Sequence, residues 1–114
     1  AEGGSLGGGC YQPDKESLTL IRDLIMHEGK ELHKLLRAAP FKTRFQELQG
    51  EKNKILPAEF REAAEKEPLL YNKQFFYWTD VGKDVFTGKD AAKQLFGYYK
   101  AAKPVNDFFS KAFA

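Results

Sequence analysis

The sequence has one cysteine, one tryptophan, one methionine and two histidines among its 114 residues. A lone thiol, Cys10, excludes an internal disulfide and a cysteine-based zinc site. It suits a reducing compartment, so a cytoplasmic location is expected. His27 and His33 do not have the i,i+4 spacing of a helical metal pair, and no metal ligands are assigned. An excess of one charge is also lacking: 18 Lys and Arg face 16 Asp and Glu, a net of +2. That balance gives no general attraction to phosphate backbones, so nucleic acid is not an expected partner. No stretch is apolar for long enough to span a bilayer, so no membrane partner is expected either. The first residues lack the basic-then-apolar order of a signal peptide. The chain opens on Ala1-Glu2-Gly3-Gly4 with no methionine, which reads like the interior of a longer polypeptide.

Hydrophobic residues make up 42% of the chain and aromatics 14%, with ten phenylalanines. Disorder is therefore not the default, and a core rich in flat side chains is expected. From Lys30 to Lys54 seven basic residues stand against three acidic ones, a local excess that reads as a solvated helix face.

The stretch Gly7-Gly8-Gly9-Cys10-Tyr11-Gln12-Pro13 leads into a helix that Asp14 can cap. Residues 1–13 form a glycine-rich lead-in or a strand end, and residues 14–114 a single helical domain. Leu18, Ile21 and Ile25 recur at helical spacing, widened by Leu20 and Leu24. They predict a first helix over 15–28, stopped by Gly29. A second should cover 30–38, and a third should run from Pro40 through Leu48 to a stop at Gly50. Residues 51–57 read as extended, 57–66 as a weak helix, and Pro68 as the start of one turn. Gln74-Phe75-Phe76-Tyr77-Trp78-Thr79 is the clearest strand, with both faces apolar enough to be covered and Trp78 in the core. Its partner is the 3–11 segment or a strand outside this chain. A helix over 88–102 and another from Pro104 close the chain. The fold class is α+β, mostly helical, with about five helices and one small sheet containing residues 74–79.

These residues resemble a bacterial and fungal family catalogued as domain of unknown function 2461. Gly7-Gly8-Gly9 followed by an aromatic and Pro13 is similar to its "G-G-G-aromatic-x-P" signature. Leu18, Ile21-Arg22 and Ile25 resemble its "L-x-x-I-R" helix, followed by Phe41, Phe45, Leu48 and Gly50. Ile55 to Pro57, Leu69-Leu70 and Lys73-x-Phe75 match its middle, and Pro104-x-Asn106-Asp107-Phe108 its close. The likeness implies the C-terminal half of a longer protein, whose other half carries a basic "R-D-x-R-F-S" segment absent here. Two positions depart from the pattern. Ala58-Glu59 follows Pro57 where members often have glycine, and Glu65 to Pro68 replaces "D-H-P", keeping the proline.

No acid, base and nucleophile fall into a recognisable set, so no catalytic residue is assigned. Gly7-Gly8-Gly9 lacks the Gly-Lys-Ser/Thr ending of a P-loop and the spaced glycines of a dinucleotide fingerprint, so no cofactor is expected. Gly8, Gly9, Tyr11, Arg22, Lys54 and Lys73 are the candidates for binding an anion or another ligand. The expected function is a non-catalytic interaction or ligand-binding domain. The alternative is part of an enzyme acting on a phosphate- or carboxylate-bearing substrate, its site shared with an N-terminal half. Convergence of Arg22, Lys54 and Lys73 on one cleft separates the two. The expected partners are the protein's own N-terminal half or a second copy, joined through a sheet edge.

Overall fold

Asp14 opens the longest helix of the chain. Its Oδ1 accepts the Ser17 N–H at 2.7 Å, satisfying one of the amides that a helix start leaves unpaired. In the computed structural model, which describes residues 4–114 with the Asp84 side chain excepted, this helix, α1, spans Lys15 to Arg37 with one break in its helical backbone. Residues 1–3 of the glycine-rich lead-in lie outside the described residues. Ile21, Leu24, Ile25 and Leu32 are buried along one side of α1, while Leu20 faces solvent. The two helices expected over 15–38 meet as two segments of α1. A kink replaces the stop, and it falls on Glu28 (φ −127°, ψ 24°) rather than on Gly29. The apolar stripe continues through Leu32, so packing holds the helix together across a residue that would otherwise end it.

Helix α2 (Ala39–Phe45) buries Phe41 and Phe45. It ends earlier than the sequence suggests, because Gln46 takes a left-handed φ of 69°. Helix α3 (Ala58–Ala64) sets Phe60 and Ala64 into the core, and a 3-10 turn follows at Pro68–Tyr71. A short helix, α4 (Asp84–Thr87), precedes α5 (Ala91–Ser110). Two helices were expected where α5 is one, because Pro104 lies inside it. Ala101, Ala102, Val105, Phe108 and Phe109 make one continuous buried stripe past the proline, whose own ring is exposed. Burial of that stripe outweighs the hydrogen bond that proline removes.

Strand β1 (Gly4–Cys10) pairs antiparallel with β2 (Phe75–Val81), Gly4 opposite Val81 and Cys10 opposite Phe75. Residues 4–10 of the 3–11 segment are therefore the strand's partner, and among the described residues the fold is α+β with five α-helices and a two-stranded sheet. On its other side β2 is bridged at one point. Gln49 N–H donates to the Phe76 carbonyl at 2.6 Å, and Phe76 N–H to the Gln49 carbonyl at 3.0 Å. The inner face of β2 carries Phe75 and Tyr77, both buried. The Tyr77 ring meets Phe41 and Phe45 edge-on at 5.2 and 4.9 Å. Each such aromatic contributes about 2–3 kcal/mol by leaving water, with a further fraction from edge-to-face geometry.

Candidate functional site

Strand alternation sends Phe76, Trp78 and Asp80 to the face of the sheet opposite Tyr77. Among the described residues no helix covers that face. Trp78 is 43% exposed and Phe76 is half-buried. The expectation that both faces of β2 are covered, with Trp78 in the core, is overturned. The chain has enough helices to cover one side of the sheet, and they take the side carrying Phe75 and Tyr77.

The glycines explain why the outer face is bare. Gly7 lies opposite Trp78 and Gly9 opposite Phe76. A Cβ at Gly7 would stand 2.4 Å from the Tyr77 carbonyl oxygen, and one at Gly9 2.3 Å from that of Phe75. Gly9 also has φ +100°, which other residues rarely adopt. Only glycine lets the two backbones come this close, and glycine leaves nothing above the aromatic rings. The result is a shallow groove of about 500 Å³, floored by Gly7 to Gly9 and walled by Tyr11, Phe76 and Trp78. Tyr11 leans on Phe76 with ring centres 5.1 Å apart. Trp78 Nε1 donates to Gln49 Oε1 at 3.1 Å, which fixes the indole. Ser5 Oγ donates to Asp80 Oδ1 at 2.9 Å on the same face.

Three of the six candidate residues, Gly8, Gly9 and Tyr11, meet in this groove. The others do not join them. Arg22 is 4% exposed, and its guanidinium lies under the chain rather than over a cleft. Nε donates to the Leu70 carbonyl at 2.9 Å and Nη2 to that of Asn72 at 3.1 Å. Its partners are thus two backbone carbonyls at the end of the 3-10 turn. Lys73 is exposed on the other side of that segment and pairs with Glu51 at 3.3 Å. Lys54 is exposed. At the start of α1 the Asp14 carboxylate takes the Ser17 amide, one of the donors an anion there would use. Gly8 and Gly9 lie in β1, opposite Tyr77 and Phe76.

Cys10 is partly buried, and that burial pushes its thiol pKa up, away from the range of a nucleophile. Burial likewise raises the Tyr77 hydroxyl, which donates to Asn106 Oδ1 at 2.6 Å. One pairing escaped the sequence reading. His33 Nε2 faces both oxygens of Glu67 at 2.8 Å. Their separation of 34 positions carries no spacing signal. Glu67 also accepts the Leu69 N–H at 3.3 Å, capping the turn, so the pair ties α1 to the turn. Among the described residues no group of three His, Cys, Asp or Glu side chains could hold a metal ion. No helix among them is long and apolar enough to cross a membrane.

A model of the conserved hypothetical protein family DUF2461 matches residues 1–108, nearly the whole chain. The chain belongs to this family. No curated protein and no solved structure gives a significant match. The two stretches that depart from the resemblance, 58–59 and 65–68, lie at the start of α3 and at the entry to the 3-10 turn. Pro57 precedes α3 directly, and Arg61 Nε donates back to the Leu56 carbonyl at 2.8 Å. Glu67, within the replaced "D-H-P" stretch, is the residue that caps the turn and meets His33.

Proposed function

We propose that this chain is a non-catalytic interaction or ligand-binding domain that meets its partner with the sheet. The observation that carries this is the uncovered aromatic face: Tyr11, Phe76 and Trp78 around a floor of glycine. Aromatic rings left in water above a backbone floor are what interfaces use as anchors. A lone, unpaired Cys10 accords with a reducing, cytoplasmic setting.

The enzyme reading needs Arg22, Lys54 and Lys73 at one cleft. The burial of Arg22 on two carbonyls removes its strongest member. A thermal-shift screen with inorganic phosphate, small dicarboxylates, divalent metals and capped peptides tests the choice, because binding raises Tm by mass action. Stabilisation by peptides together with a change in Trp78 emission supports the interaction reading. Stabilisation by phosphate or dicarboxylate alone, with Trp78 unmoved, overturns it.

A further inference from the structure

A second cleft lies away from the sheet, where α1 meets the chain that leaves α3. Its volume is about 450 Å³, a size that ligand pockets share. Gly29, one residue past the break at Glu28, lines the α1 wall and has no side chain to fill the space. The apolar lining is Ile25, which is buried, with Met26 and Ala63, which are half-buried.

The polar lining divides in two. His27 and Glu67 already have partners. His27 Nδ1 lies 2.8 Å from the Asp23 carbonyl, and Glu67 holds His33 and the Leu69 amide. The Ala63 carbonyl also accepts the Lys66 and Glu67 amides at 3.1 and 2.9 Å. Lys30 and Lys66 are exposed, and no described carboxylate pairs with either. Lys30 stands on α1 and Lys66 just past the end of α3, so the cleft brings two cations from separate segments to one rim.

Two like charges beside one cleft favour an anion between them. A lysine lays its methylene stem on apolar surface and keeps its ammonium in water, so both stems extend the apolar lining. The Glu67 carboxylate, mostly buried, repels negative charge from the inner end. The matching ligand therefore carries its charge at the rim and an apolar body within.

We propose that this cleft binds an aliphatic monocarboxylate, with its carboxylate between Lys30 and Lys66 and its chain on Ile25, Met26 and Ala63. A compact anion such as phosphate would leave the apolar lining in water. A peptide body would find no partner for its amides along that lining. The site is separate from the sheet groove, so either reading can fail without the other.

The probe is octanoate, titrated into the full chain at low ionic strength below the concentration at which it self-associates, and followed by amide NMR. Shifts at Gly29, Lys30, Ala63 and Lys66 should saturate, with Gly8 and the Trp78 indole unmoved. Each methylene from hexanoate to octanoate should tighten binding about fourfold. Octanamide, which keeps the chain and loses the charge, should bind about tenfold more weakly. Lys30→Gln with Lys66→Gln should remove that preference while leaving Tm unchanged, since both side chains are exposed. Equal binding of octanoate and octanamide would overturn the proposal, as would the absence of saturable shifts at these four residues. Inorganic phosphate moving the same amides as strongly would show a plain anion site and overturn the aliphatic assignment. Tighter binding of acetyl-Ala-Leu with a free C-terminus would overturn it in favour of a polypeptide terminus. Shifts confined to Gly8 and Trp78 would place the ligand in the sheet groove and overturn it too.

Discussion

Arg22 Nε donates to the Leu70 carbonyl across 2.9 Å, although 48 residues separate them in sequence. The same guanidinium reaches the Asn72 carbonyl at 3.1 Å. These carbonyls belong to the last residues of the 3-10 turn and the residue after it, where the backbone has free acceptors and its dipole favours a cation. Arg22 therefore anchors the turn, and through it the start of β2, to α1.

The first prediction follows from that anchor. Arg22→Met should cost about 2–4 kcal/mol, because it leaves two buried carbonyls unpaired. Arg22→Lys should recover only part of this, since one ammonium does not reproduce the fork of the guanidinium. Urea midpoints measured with an unchanged slope check both. A loss below about 0.5 kcal/mol for Arg22→Met would show that Arg22 is not an anchor.

The single tryptophan gives a direct test of the uncovered face. Trp78 emission should be red-shifted in the native protein and strongly quenched by acrylamide, because nearly half of its surface meets water. Blue-shifted, weakly quenched emission would mean that the face is covered in solution.

How far the fold could be read in advance depended on which forces acted locally. Asp14, Pro68 and the 75–81 strand were legible, because capping, turn chemistry and β-propensity act within a few residues. The break read at Gly29 falls one residue earlier, at Glu28, while Pro104 reads as a helix start and lies inside α5, since burial of Val105 is decided by segments far away in sequence. The site shows the same division. Gly8, Gly9 and Tyr11 were marked as a unit by adjacency and do share a groove. Arg22 was marked by its charge amid apolar neighbours, but its partners lie 48 and 50 residues on. Trp78 was misplaced because strand patterning shows which residues share a face, not how many layers exist to cover it.

Acid should weaken the start of α1. The Ser17 amide holds the Asp14 carboxyl below its ordinary value of 3.8. A group whose folded pKa is depressed adds stability above its unfolded value and loses it as pH falls through the folded one. The Asp14 contribution should therefore be complete above pH 3.8 and fade below it. Asn caps about as well and does not titrate in this range, so Asp14→Asn should abolish this part of the acid dependence. Denaturant midpoints of the two proteins measured from neutral pH down into this window would check it. Parallel curves throughout would refute the assignment.

The last prediction concerns Gly29, buried within α1. In an exposed helix interior, replacing glycine by alanine stabilises by about 1 kcal/mol. Here a Cβ would stand 2.5 Å from Glu67 Oε1. The end of a glutamate side chain ordinarily moves aside at little cost. This one is held by His33 at 2.8 Å and by the Leu69 amide at 3.3 Å, so moving it breaks the cap and the His33 contact together. Gly29→Ala should then be neutral or destabilising, with the gain in propensity cancelled. In a Glu67→Ala background the obstacle is gone, and the same substitution should stabilise by up to about 1 kcal/mol. The double-mutant cycle isolates the coupling because the three atoms that the new methyl would meet most closely outside its own helix all belong to Glu67. If Gly29→Ala stabilises equally in both backgrounds, Glu67 is not held in place, and the link between α1 and the turn would have to run through Arg22 alone.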